Sequence, residues 1–154
     1  MIRSLHHTAI STPDLERAVT FYRDLFGFEV VMEMDWPQGY AGVDSIMGIE
    51  GTAAQAVMLR REDSMIEVFE FSAPDARSQA LDRPVCDHGI THLCFLVEGI
   101  QAEYERLCEA GMEFHCPPQD SGTGIVATYG RDPDGNVIEL LEVLDESHPF
   151  RLQA

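Results

Sequence analysis

Four side chains stand at matched places in the two halves of this chain: His7 and Glu67 in the first, His92 and Glu139 in the second. The histidines are 85 positions apart, each in an alternating strand-like stretch, Leu5 to Ser11 (LHHTAIS) and Ile90 to Val97 (ITHLCFLV). The glutamates hold the same place in a pattern used twice, I-E-x-x-E, at Ile66 to Glu70 and Ile138 to Glu142. Side chains two apart on a strand share a face. His7 therefore points with Ala9 and Ser11, away from His6, and Glu67 points with Met65, Phe69 and Phe71. His92 shares a face with Cys94 and Leu96, and Glu139 with Val137 and Leu141. A carboxylate among apolar neighbours is costly to keep charged unless a cation shares the site. One imidazole and one carboxylate from each half make a four-donor set, His7, Glu67, His92 and Glu139, for one divalent metal ion.

The ordinary reading of any single histidine or glutamate is a satisfied or solvated side chain. His6, His88, His115 and His148 fall in that class, as do Glu70 and Glu142. The repeat sets the other four apart, because both residue types recur correctly in both halves.

The elements that must carry these residues repeat in the same order. After the first strand, Thr12 with Pro13 reads as a helix N-cap and first position. Leu15, Ala18, Val19, Tyr22, Leu25 and Phe26 follow at helical spacing, and Gly27 stops the helix. Phe28 to Met34 is a strand, and Gln55 to Arg60 with Met65 to Phe71 is a hairpin. In the second half Ile100, Tyr104, Leu107 and Cys108 mark a helix ended by Gly111. Met112 to His115, Ile125 to Tyr129 and Val137 to Val143 are strands, with a turn at Asp132 to Gly135. Gly27 and Gly111 are 84 positions apart but Glu67 and Glu139 only 72, so the first half holds extra residues. They fall in the glycine-bearing stretch from Trp36 to Gly51, which reads either as a flap over the site or as a passively tolerated loop. The expected architecture is α+β, two tandem βαβββ modules forming a cupped mixed β-sheet: module one at 1–71, a linker at 72–89, module two at 90–154, together one domain over 1–150.

Composition narrows the function. The 154 residues carry 27 acidic and ten basic side chains, a net charge of −17, and every basic one is Arg. Such a surface repels phosphate backbones, so no nucleic-acid partner is expected, and without Lys there is no Schiff-base chemistry. The same field attracts divalent cations. No stretch is apolar enough for a signal peptide or a membrane span. The four cysteines form no C-x-x-C pair and read as reduced thiols of a cytoplasmic protein, with Cys94 and Cys108 packed in the core.

The motifs His6 to Phe28 (HHTAISTPDLERAVTFYRDLFGF), the paired I-E strands, Gly89 to Leu93 (GITHL) and Asp132 to Leu140 (DPDGNVIEL) together resemble the vicinal oxygen chelate superfamily, which includes glyoxalase I, bleomycin resistance proteins and extradiol dioxygenases. The resemblance covers nearly the whole chain. It implies one divalent ion per site (nickel, cobalt, manganese, iron or zinc) held by His7, Glu67, His92 and Glu139, with a homodimer as the common assembly. It further implies that two neighbouring oxygens of a small carbonyl substrate chelate the ion while Glu139 or Glu67 shifts a proton through a metal-bound enediolate. Glutathione-using members carry Arg four residues after the first ligand and Asn four after the second; this chain has Ser11 and Phe71. A phenyl ring cannot replace an amide's hydrogen bonds, so the glutathione subsite is altered. Alternatives within the resemblance are a methylmalonyl-CoA-epimerase-like isomerase, an extradiol dioxygenase and a metal-free drug-binding resistance protein. The dioxygenase pattern is matched from Tyr129 through Asp132, Pro133 and Gly135 to Glu139. Its catalytic His is missing, however, where Asp120, Ser121 and Gly122 stand.

Overall fold

The computed structural model describes residues 1–152. The chain divides into two compact units, Met1–Ser78 and the residues from Gln79 onward. The first runs β1 (Thr8–Ser11), α1 (Leu15–Phe26), β2 (Glu29–Trp36), α2 (Ala41–Met47), β3 (Ala53–Arg61) and β4 (Ser64–Ala73). Its sheet has the order β1-β4-β3-β2, with β1 parallel to β4 and the other neighbours antiparallel. The second runs β5 (Leu93–Leu96), α3 (Ile100–Glu109), β6 (Glu113–Phe114), β7 (Gln119–Asp120), β8 (Ile125–Arg131) and β9 (Val137–Val143). Its order is β5-β9-β8-β6, again with the first and last strands parallel and β7 also paired to β8. Each unit thus follows the βαβββ order, with α2 inserted in the first and the short β7 added in the second, on a mixed sheet, and the class is α+β as expected.

Each module buries a helix against one face of its sheet. Ala18, Tyr22 and Phe26 recur every four residues along α1 and are buried, as are Val57, Leu59, Ile66 and Val68 on the β3–β4 surface beneath. Burying side chains of this size stabilises the module by about 1.5–3 kcal/mol each. In module two Ile100 and Leu107 of α3 are buried, with Ile138 and Leu140 of β9. Strand alternation leaves the odd-numbered residues of β4 and β9, Glu67 and Glu139 among them, on the opposite face. Gly27 ends α1 at φ 68°, where a side chain would be strained.

Several local expectations are corrected. The α1 N-cap is Asp14, whose carboxylate accepts from Arg17 N, while Thr12 Oγ1 accepts from Asp14 N one turn earlier in the chain. The stretch after Trp36 is not wholly irregular, since α2 lies in it. That helix is fastened by Asp44, which accepts from Gly51 N, Thr52 N and Thr52 Oγ1 at 2.6–2.9 Å. Those bonds hold the Asp44 carboxyl below its usual range. β1 and β5 are shorter than their apolar stretches, so His7 and His92 each sit one residue before a strand. Cys94 and Cys108 are exposed rather than in the core; Cys94 lies on the face opposite α3, beside Glu139.

Candidate metal-binding half-sites

In module one the parallel pairing of β1 with β4 sets Ala9 opposite Glu67. His7, just before β1, comes to Glu67, with Nε2 3.2 Å from Oε2. In module two β5 pairs with β9 in the same way, and His92 Nε2 lies 2.9 Å from Glu139 Oε2. Both carboxylates are mostly shielded, each side chain 15% exposed. The far nitrogen of each imidazole is engaged by the preceding residue. His7 Nδ1 meets His6 Nδ1 at 2.8 Å, and His92 Nδ1 meets the Thr91 hydroxyl at 2.9 Å. A hydroxyl both donates and accepts, so Thr91 serves either tautomer of His92. It can leave Nε2 free of its proton, as a metal ligand must be.

The structure therefore brings together His7 with Glu67, and His92 with Glu139. Each module taken by itself offers two donors. Among the described residues no three His, Cys, Asp or Glu side chains form a cluster able to hold a metal ion. The donors themselves fit a divalent ion of the nickel-to-zinc range, because each pair offers one imidazole nitrogen and one carboxylate, and the Nδ1 contacts orient both rings.

The surroundings of the pairs differ. Glu139 sits between Cys94 on β5 and Tyr129 on β8. Burial, and after it the negative charge of Glu139 opposite on β9, pushes the Cys94 thiol up to about 12. The Tyr129 ring lies against His92, centroids 5.1 Å apart, and its phenol is raised by burial and then by Glu139. Glu67 instead sits between Ala9 and Met58. Beyond it the same face carries Trp36, Phe69 and Phe71. The two phenyl rings stack at 5.7 Å, and the indole stands edge-on to both at 6.2 and 6.4 Å. Trp36 Nε1 donates to Thr52 Oγ1, which in turn donates to Asp44, so α2 and this aromatic floor share one hydrogen-bond chain.

The second glutamate of each I-E-x-x-E pattern is not merely solvated. Glu70 accepts from Leu15 N at 2.8 Å, and Glu142 accepts from Gly99 N and Ile100 N at 2.6 and 3.1 Å. Each closes the first turn of its module's helix. His115 lies edge-on to Tyr129, and His148 Nδ1 accepts from Phe150 N.

The family model for the Glyoxalase/Bleomycin resistance protein/Dioxygenase superfamily matches residues 4–140. The chain belongs to this superfamily. Its relatives include enzymes of two kinds. The 2-epi-5-epi-valiolone epimerase of an Actinomyces species is 30% identical, with 97% of this chain and 84% of that protein covered. The ethylmalonyl-CoA/methylmalonyl-CoA epimerase of Cereibacter sphaeroides is 31% identical, covering 93% and 100%. The lactoylglutathione lyase of Pseudomonas aeruginosa is 24% identical, covering 89% and 81%. A glyoxalase family protein from Bacillus cereus shares the fold, with a TM-score of 0.83 at 21% identity over 94% of this chain and 97% of that one. Among the described residues no helix is long and apolar enough to cross a membrane.

The sequence offered one histidine and one glutamate in each half, and the structure sets His7 against Glu67 and His92 against Glu139 on the sheet face away from the helix. It missed Thr91 and His6 as partners of the imidazoles, although both are simply the preceding residues. The position of Cys94, two residues after His92, was the available signal for its contact with Glu139.

Proposed function

We propose that this protein is a divalent-metal-dependent isomerase or lyase that moves a proton at a carbon next to a carbonyl group in a small oxygenated substrate. Support comes first from the twofold recurrence of one arrangement, an imidazole Nε2 within 3.2 Å of a shielded carboxylate, in both modules. His7, Glu67, His92 and Glu139 would hold one ion per chain, in a homodimer. When bound, the ion supplies a Lewis acid that polarises the substrate carbonyl and makes the neighbouring C–H more acidic. The proton itself is taken and returned by a carboxylate oxygen of Glu67 or Glu139, the two bases on these faces. The aromatic floor of Trp36, Phe69 and Phe71 keeps water from the first module's pair and gives an apolar moiety a surface to lie on.

Within that class an epimerase acting on a substrate without glutathione is favoured. Phe71 stacks on Phe69, and Ser11 stands opposite Phe69 on the neighbouring strand. Neither offers the amide or guanidinium that glutathione-using members place there.

The test has two arms. Metal analysis of protein loaded with nickel, cobalt, manganese, ferrous iron or zinc should give one equivalent per chain. Incubation in D2O with methylmalonyl-CoA, with 2-epi-5-epi-valiolone and with the methylglyoxal–glutathione hemithioacetal should show metal-dependent reaction, as solvent deuterium entering one of the first two. A chain that takes up no metal, or a loaded chain that reacts with none of the three, overturns the reading; a loaded chain that reacts only with the hemithioacetal overturns the epimerase and leaves the lyase.

A further inference from the structure

The chain leaves β2 at Trp36, forms α2 and re-enters the sheet at β3 through Thr52, in the stretch that holds the extra residues of the first half. In module two the corresponding connection holds the short β7. α2 buries none of its own residues, so apolar packing does not place it. Polar bonds do. Asp44 accepts from Gly51 N, Thr52 N and the Thr52 hydroxyl, and that hydroxyl accepts from Trp36 Nε1 at 3.1 Å. Thr52 is fully buried. An indole N–H only donates and an ionised carboxylate only accepts, so the hydroxyl between them turns its proton to Asp44 and a lone pair to Trp36. A buried network in which every member is satisfied holds one arrangement. Here the indole is held edge-on to Phe69 and Phe71, and Phe69 lies two residues from Glu67 on the same face of β4. All three rings remain partly exposed.

We propose that Thr52 and Asp44 are positioning residues for the apolar part of the substrate: the hydroxyl shared between the carboxylate and the indole N–H fixes Trp36 beside Phe69 and Phe71, and so sets which apolar groups the site accepts. This rests on the reading of those three rings as the surface on which an apolar moiety lies beside a bound ion. Without the shared hydroxyl the indole is free to turn about its two side-chain torsions, and a ligand that must order it binds less tightly. Phe69 and Phe71 stack on each other and stay in place, so the part of the surface lost is the edge that Trp36 supplies. The four donors lie outside this chain of bonds, and their hold on an ion is unaffected.

Benzohydroxamate and acetohydroxamate test this, because both offer two adjacent oxygens to a metal ion and differ in a phenyl ring against a methyl group. Trp36 is the sole tryptophan, so the fluorescence of the protein reports its motion. The full chain is compared with three variants. Thr52→Val keeps the size, loses the hydroxyl and leaves both backbone amides on Asp44. Thr52→Ser keeps the hydroxyl, and Trp36→Phe cuts the same link from its other end. In metal-free protein Thr52→Val should add a fast component to the anisotropy decay of Trp36. Loaded with zinc, it should bind benzohydroxamate about fivefold more weakly, the usual weight of one hydrogen bond, with acetohydroxamate and zinc within about twofold of the parent. Thr52→Ser should match the parent throughout. Adding Thr52→Val to Trp36→Phe should change nothing further, because the hydroxyl acts through the indole. Circular dichroism checks that each variant is folded. Trp36→Phe by itself should also lose benzohydroxamate affinity selectively, and parental affinity there overturns the role even if Thr52→Val does not fold. An indole held as firmly in Thr52→Val as in the parent, or an equal fall for both hydroxamates, overturns the positioning role and leaves the aromatic surface standing. A parent that binds the two hydroxamates equally overturns the reading of that surface, and a parent that takes up no zinc overturns the metal site; either result removes the role as well.

Discussion

Replacing Glu142 by Ala should destabilise the protein about twice as much as replacing Glu70, although the two glutamates occupy the same place in the repeat. Glu142 accepts from two backbone amides, Gly99 N and Ile100 N, at the start of α3, whose N-cap is Gly99 and offers no side-chain acceptor. Loss of a cap acceptor costs about 1 kcal/mol, and loss of a negative charge at a helix N-terminus up to about 1 more. The total for Glu142→Ala is therefore about 2 kcal/mol. Glu70 accepts from Leu15 N alone, and the Asp14 carboxylate stays at the same helix end as cap and negative charge, so Glu70→Ala loses one acceptor and little of the charge there, about 1 kcal/mol. For a chain of this length each kcal/mol moves the unfolding midpoint by about 2–4 °C, giving shifts of about 4–8 °C and 2–4 °C. Thermal unfolding followed by circular dichroism reads both, and metal titration of the folded variants should give the parental affinity. Equal shifts, or a larger one for Glu70→Ala, would refute the capping account. Loss of metal binding in either variant would show that the second glutamate belongs to the donor set after all.

Removing one donor, as in His92→Ala or Glu139→Gln, should lower metal affinity about a hundred- to a thousandfold, since a site worth about 10–16 kcal/mol is shared among four ligands; unchanged uptake by inductively coupled plasma analysis would contradict the assignment. Gly135→Ala should cost about 3 kcal/mol in urea unfolding, because Gly135 lies at φ 82° and an added Cβ would stand 2.6 Å from the Leu81 backbone. In metal-free protein at pH 8, Cys94 should alkylate more slowly than Cys86 even though both are exposed, and its rate should keep rising with pH toward about 12, which peptide mass spectrometry can follow. Oxygen uptake with catechols should be nil whichever metal is loaded, given Asp120, Ser121 and Gly122 where the dioxygenase pattern needs an imidazole.

The two modules and the faces of their donors were legible because alternation and helical spacing are local, and because the repeat states each pattern twice. What escaped depends on contacts between distant residues. α2 is only seven residues long and buries none of them, and its anchor joins Asp44 to Gly51 and Thr52. Thr12 looked like the better cap in sequence, yet it serves Asp14, which serves the helix. Glu70 and Glu142 looked solvated since nothing in a strand's own sequence points to a helix start 55 or 43 residues earlier. Cys94 looked like core because cysteine usually is, whereas its register opposite Glu139 puts it on the donor face.

The spacing of the two glutamates in each closing strand has a further consequence. Three residues apart, they project to opposite sides of the sheet, one toward the imidazole and the other toward bare amides at the foot of the helix. Sliding β4 or β9 by a single residue would turn both the wrong way at once. The helix start would lose its acceptor and the imidazole its companion. One register of each closing strand thus serves the helix start and the imidazole at once.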